Sequence, residues 1–247
     1  MDMDLLPMTL IALAIGVVAF LYSSVGHGGA SGYIAVLTLA GCLAAEIKPT
    51  ALVLNILVSG IGAYQFWRAG YFSWSLFWPF AALAIPAAYA GGYVHLPIGV
   101  IHPLLGVVLL ASAARLFWDP QDPPEVTPPR RSVALSLGAG IGFLSGLTGT
   151  GGGIFLTPLL LLRHWAITRQ AAAVSATFIF VNSISGLTGH VMSGRSIPMM
   201  AGWLSVSAVL GGTLGSYLGS RRLSPRVIRG LLAVTLIVAS FKLLYTR

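Results

Sequence analysis

Charge is what this sequence lacks most. Of its 247 residues, 14 are Lys or Arg and 6 are Asp or Glu, which makes 8% charged, against about 25% in a typical soluble domain. Hydrophobic residues make up 56%, and the mean hydropathy is +0.88. A water-soluble globule of this size needs more surface charge than that. An ordinary soluble enzyme and a disordered chain are therefore excluded. Cysteine is nearly absent too: Cys42 stands alone, so no internal disulfide can form and a secreted disulfide scaffold is excluded. The start, Met1-Asp2-Met3-Asp4, has no positive n-region of a cleavable signal peptide. Leu5 onward is expected to remain as a membrane segment. What is left is an integral membrane protein whose first partner is the lipid bilayer.

The net charge of +8 does not point to nucleic acid. The basic residues sit singly or in short clusters between apolar runs, which is the pattern of loops flanking membrane spans. Apolar stretches cover 5–25, 28–45, 49–67, 74–94 and 98–114, then 133–147, 151–162, 170–189, 197–218 and 227–245. They do not alternate as barrel strands would, and helices satisfy their own backbone in lipid. Arg229 and Lys242 lie near the ends of the last stretch, where they can snorkel to the headgroups. Between the two sets lies a segment of 13 residues, 119–131, holding five of the 14 prolines and five charges. It reads as a stiff extended linker. The organisation expected is a first membrane repeat at 1–118, a cytoplasmic linker at 119–131 and a second repeat at 132–247.

The two sets repeat. Phe20-Leu-Tyr-Ser-Ser-Val-Gly-His-Gly-Gly29 aligns with Phe143-Leu-Ser-Gly-Leu-Thr-Gly-Thr-Gly-Gly152 at an offset of 123. Gly70 lies over Gly194, Gly91 over Gly215, Gly106 over Gly230 and Phe117 over Phe241, all at 124. Internal duplication of this kind is common in transporters. The stretches 133–147 and 151–162 are too short to cross a core of about 30 Å. They read as a hairpin that enters to mid-membrane, turns and returns. With one hairpin and three full spans per half, ten Lys and Arg fall on one side and four on the other; with one broken span instead, they divide evenly. The positive-inside rule favours the hairpins. An odd number of crossings makes the second half inverted. The fold expected is all-α: two inverted repeats, each with a Gly-rich helix-turn-helix hairpin plus three spanning helices.

The glycines cluster at the two hairpin turns. Each turn starts a new helical segment, whose first N–H groups lack internal partners and carry partial positive charge. Two such helix starts facing each other make an anion site without a full charge. The candidate binding residues are Ser23, Ser24, Gly26, His27, Gly28, Gly29 and Ser31 at the first turn. Thr148, Gly149, Thr150, Gly151, Gly152 and Gly153 form the second, and Asn55, Ser175 and Asn182 come from the third segments. His27 can donate or carry a proton. The alternative for His27 is a satisfied core histidine, and for the segment polar groups it is helix-to-helix hydrogen bonding. The rows Gly138, Gly142, Gly146 and Gly211, Gly215, Gly219 have the spacing of close helix packing. Arg68, His190 and Arg195 read as residues at the membrane surface. No catalytic residue, metal site or cofactor is expected.

Ser24-Val-Gly-His-Gly-Gly29, Leu144-Ser-Gly-Leu-Thr-Gly-Thr-Gly-Gly-Gly-Ile-Phe-Leu-Thr-Pro158, the duplication and the polar linker together resemble the sulfite exporter family of the TauE/SafE type, over nearly the whole chain. The resemblance implies a multi-pass transporter of the bacterial plasma (inner) membrane. Its substrate would be a small sulfur-containing anion such as sulfite, thiosulfate or an organosulfonate. The first turn departs from a plain Gly-Gly-Gly form by carrying His27, Ala30 and Ser31. The chain has no P-loop, so a secondary transporter is expected. Alternating access would come from one half rocking against the other, with protons as a candidate coupling ion and a homodimer as a candidate assembly. Two rival classes stand beside it: an anion channel, and an intramembrane serine protease using Ser31 and His190.

Overall fold

The computed structural model describes residues 5–94, 106, 109–110, 112–114, 122 and 125–245, and among these there is no strand. The helices of the first half are α1 (Leu5–Ser24), α2 (Ala30–Leu39), α3 (Ala44–Arg68) and α4 (Trp74–Tyr93). Those of the second are α5 (Arg131–Thr148), α6 (Gly153–Leu162), α7 (Thr168–Met192), α8 (Met200–Arg221) and α9 (Pro225–Tyr245). The described residues between 106 and 114 are helical as well. The rest of the 98–114 stretch lies outside the described residues, as do Met3, Arg115, Phe117, Arg247 and linker positions 119–121, 123 and 124. The described linker positions, Asp122 and 125–130, are not helical.

Among the described residues, α3 and α7, of 25 residues each, are long and apolar enough to cross a membrane. At 1.5 Å per residue each runs about 37 Å. By the same rise, the ten-residue α2 and α6 run only about 15 Å. The short return limb expected in the second half is therefore present in both. The 28–45 stretch is not continuous: α2 stops at Leu39, Gly41 takes a φ of 73°, and α3 starts at Ala44. Lys48 consequently lies inside α3, not between segments. The entering limb of the second half is longer than its apolar core suggested. Polar Arg131 and Ser132 are already helical, and α5 has 18 residues, about 27 Å.

Helix ends follow one rule. After α1, Gly26 has φ 79°, Gly26 N–H donates to Ser23 O and His27 N–H to Tyr22 O. This paired pattern satisfies the last carbonyls and turns the chain sharply. Gly41 and Gly70 close α2 and α3 in the same way. His164, with φ 56°, closes α6 at the position matching Gly41.

The halves are interleaved. A Cβ placed on Gly211, Gly215 or Gly219 would overlap the backbone carbonyls of Gly16, Phe20 and Ser24 in turn. Both sets of numbers rise together, so α8 runs parallel to α1 at backbone contact. Gly138, Gly142 and Gly146 meet the carbonyls of Phe80, Ala84 and Ala88, so α5 runs parallel to α4. The centre is α3 against α7. Asn55 meets Ser183, Gly60 meets Phe180, and Gly62 meets Ala176, so these two helices are antiparallel. The two glycine rows are thus packing faces. The contacts also exchange between halves: Gly91 lies on the Phe143 carbonyl and Gly215 on the Phe20 carbonyl, the residues that align in sequence.

The linker is anchored. Asp122 Oδ1 accepts from Thr168 N–H at 2.7 Å and from the Thr168 hydroxyl at 2.5 Å, which caps α7. It also pairs with Arg229 at 3.3 Å, whose side chain is 4% exposed against 27% for Asp122. Arg229 Nε donates to Thr168 Oγ1 at 2.8 Å. Arg229 therefore does not snorkel to the headgroups as its place near the helix end suggested. An internal carboxylate is within reach, and it holds the guanidinium inside. Removing one partner of a buried pair strands the other charge, at about 3–5 kcal/mol when both are fully buried. Because Asp122 is partly wet, Asp122→Ala is expected to destabilise by about 2 kcal/mol. The double variant with Arg229→Met should recover most of that in a detergent melt. A double variant no more stable than Asp122→Ala would show that Arg229 does not depend on the pair.

Candidate functional site

The first turn, residues 25–29, joins α1 to α2, and the second, residues 149–152, joins α5 to α6. Gly26, Gly29, Gly149, Gly151 and Gly152 have φ between 75° and 102°, a region closed to most side chains. Glycine lets both turns close this tightly. Residues 22–34 and 149–154 are all buried, so both turns are closed off inside the helices.

Asn55, in the middle of α3, ties the turns together. Its Oδ1 accepts from Ala30 N–H at 3.1 Å, capping α2 from outside that helix. Its Nδ2 donates to the Thr150 carbonyl at 3.3 Å and to Ser183 Oγ at 3.2 Å. A Cβ on Gly28 or Gly151 would run into this amide and Ile179. On the other side lies His27. A Cβ on Gly153 would sit 3.4 Å from His27 Cδ2, so the imidazole stands against the start of α6. His27 Nε2 is 3.4 Å from Thr157 Oγ1, and that hydroxyl donates to Ser175 Oγ at 2.7 Å. His27 Nδ1 is buried without a hydrogen bond of normal geometry. Tyr22 packs edge-on against the ring at 6.4 Å.

The starts of α2 and α6 thus flank one small region holding Asn55, His27, Ile179 and Ser183. Each helix start carries roughly half a positive charge. The site residues include no carboxylate and no ammonium. Among the described residues no His, Cys, Asp and Glu cluster could hold a metal. Chemically, this is a neutral site with a positive bias and a ring that can donate or accept a proton.

The chain matches the family model described as "Sulfite exporter TauE/SafE" over residues 11–243. It belongs to the TauE/SafE family. "Probable membrane transporter protein y4hK" of Sinorhizobium fredii is 42% identical over 241 residues, covering 95% of this chain and 97% of the relative. "Probable membrane transporter protein YunE" of Bacillus subtilis is 30% identical over 131 residues, 53% of this chain and 48% of the relative. "Probable membrane transporter protein YjnA" of the same organism is 27% identical over 238 residues, covering 89% and 92%. No solved structure matches. The protein is a membrane-embedded transporter of the TauE/SafE family.

Within this family member, the expected residues divide. Gly28, Gly29, Gly151, Gly153, Thr150, Asn55, His27 and Ser175 come together as described. Thr148 Oγ1 donates to the Leu144 carbonyl and lies 2.9 Å from Thr150 Oγ1, on the second turn's flank. Ser23 and Ser24 donate to the Phe20 and Leu21 carbonyls of their own helix. Ser23 faces α8, where Gly215 meets its Oγ, and the Ser24 backbone carbonyl meets Gly219. Asn182 donates to the Phe178 carbonyl of its own helix. Ser31 donates to the Tyr22 hydroxyl at 3.0 Å, whereas His190 lines a separate pocket with Lys48 and Arg195. One partner, Thr157, was missed at the sequence level, and Ser183 was read only as one of the polar groups of the third segment. Thr157 lies one helical turn after Gly153, and that spacing was the available signal.

Proposed function

We propose that this TauE/SafE protein is a secondary transporter of a small sulfur-containing anion, sulfite, thiosulfate or an organosulfonate. The anion is held by backbone N–H groups at the starts of α2 and α6. The observation that carries this reading is the convergence of two helix starts on Asn55 and His27 in a region without charged side chains. Such a site neutralises an anion by dipoles and binds it weakly enough to release it.

The two halves act as inverted repeats. Three contact directions support this: α1 parallel to α8, α4 parallel to α5, and α3 antiparallel to α7. With α3 also parallel to α8 (Val58 beside Gly212, Gly62 beside Ser216), α1 and α3 run one way in the first half while α5 and α7 run the other way in the second. The same pairing changes the expected motion. The sequence halves are interleaved, so the moving bodies are the cross-half pairs α1–α8 and α4–α5, turning about α3–α7. In this scheme, burial of both turns is what an occluded intermediate requires.

The test is flux into proteoliposomes with sulfite, thiosulfate, sulfoacetate and taurine compared side by side. Saturable uptake of at least one is expected, with no flux of sodium or potassium alone. Cation flux without anion dependence overturns the reading. His27 is the proton carrier in this scheme, so His27→Gln is expected to flatten the pH dependence of uptake. An unaltered pH profile removes His27 from coupling.

A further inference from the structure

Behind the second turn, at the N-terminal end of α3, lies a cavity of about 290 Å³ lined by Ala44, Ala45, Lys48, Leu147, His190 and Arg195, with Val94 at its edge. Among the described residues its wall carries two basic side chains, Lys48 and Arg195, and no carboxylate; Glu46, two positions from Lys48, is not part of it. Arg195 is positioned by Ser193 Oγ at 2.9 Å and by the Tyr93 carbonyl at 3.3 Å. The cavity reaches the turn. A Cβ on Gly149 would lie 2.9 Å from Lys48 Cγ, and Leu147 sits two residues before that glycine. At the opposite ends of α3 and α7 a second cavity, of about 420 Å³, is lined by Arg68, Tyr71, Arg169, Tyr217, Arg221 and Arg222 among others. It stands behind the first turn, where Gly26 meets Ala172 and Gly219 meets the Ser24 carbonyl.

We infer that the Lys48–Arg195 cavity is a second anion-binding site, a vestibule that captures a small oxyanion before it reaches the glycine turns. The inference rests on the reading that the turns receive an anion. Its physical basis is separate. Two cations in a concave wall of low dielectric focus the field and raise the local concentration of anions. With His27 neutral the central site has only partial charges, so it attracts an anion weakly from a distance. The vestibule supplies that attraction.

The chain's one cysteine makes the test direct. Cys42→Ser removes the native thiol, and Ala45→Cys places a reporter in the exposed wall of the cavity. The protein is held in nanodiscs of zwitterionic lipid, which keeps anionic headgroups away and leaves both faces open. Rates of modification by anionic MTSES and cationic MTSET are compared with the same ratio for free 2-mercaptoethanol. The reporter is expected to favour MTSES by about tenfold over the free thiol. Lys48→Gln with Arg195→Gln should bring the ratio back to the free-thiol value, while Lys48→Arg keeps it. Sulfoacetate, which does not react with the thiosulfonate, should slow MTSES in the parent and not in the neutralised variant. A free-thiol ratio in the parent, or a ratio untouched by neutralisation, overturns the vestibule. Protection by sulfoacetate that survives neutralisation does the same. Proteoliposomes that move no anion, beside a reporter that still favours MTSES, overturn the transport reading alone.

Discussion

Replacing Gly138, Gly142 and Gly146 together by alanine is expected to leave no folded protein to purify. Each methyl group would land on a backbone carbonyl of α4, at Phe80, Ala84 and Ala88. Backbone cannot swing aside as a flexible side chain can. Overpacking costs about 1–3 kcal/mol per site. Three in one row consume most of a total stability of about 5–15 kcal/mol. The control lies on the same helix: a Cβ on Gly140 meets nothing within 4 Å. Gly140→Ala should raise stability by about 0.5–1 kcal/mol, because alanine loses less freedom in a helix. Size exclusion and thermal melting in detergent read both. A triple variant that melts with the parent would mean that α4 and α5 are not in backbone contact.

Asn55→Leu is expected to melt well below the parent and to fail in transport in the fraction that folds. Leucine has a similar volume but returns none of the three hydrogen bonds. Ala30 N–H, the Thr150 carbonyl and Ser183 Oγ each lose a partner. An unsatisfied buried group costs about 1–3 kcal/mol. Most of that strain falls on the two turns, which then no longer present their N–H groups together. At about 1.4 kcal/mol per decade, turnover in proteoliposomes should drop by about tenfold or more. Asn55→Asp keeps the acceptor for Ala30 and puts a negative charge beside the anion. It should be less stable than the parent, because the buried carboxylate faces the Thr150 carbonyl with no donor to offer it, and it should bind substrate more poorly. Undiminished uptake by Asn55→Leu would remove the two turns as the binding site.

Much of this was legible in the residues. Scarce charge and continuous apolar runs require helices in lipid, and the described residues are helical wherever they are regular. The aligned glycines mark the turns, because only glycine tolerates those backbone angles. Glycines spaced by four mark close faces, and both rows are faces. What the sequence does not carry is the identity of the opposing face. A row on α8 says that some backbone comes close; nothing in it names α1, roughly 200 residues away. The same holds for Asn55. Its cost in lipid shows that it must be paired, and only the fold shows that the pairing joins both turns. Asp122 was hidden differently. Proline and charge around it describe a stiff linker, and they are silent about a carboxylate that folds back onto Arg229. Lys48 was placed between segments because an apolar count stops at a lysine, whereas the helix tolerates it near its first turn.

The marriage of α1 to α8 also bears on biosynthesis. The ribosome releases α1 first and reaches Met200 only after some 170 further residues. At about 5–20 residues per second, α1 waits on the order of ten to thirty seconds for its partner. During that wait, the narrow side of α1 that α8 will cover has only lipid or the insertion machinery beside it. A polypeptide interrupted in the linker therefore yields two fragments that are each incomplete. Made together in one cell, they have every surface needed to find one another; made alone, each is a substrate for quality-control proteolysis.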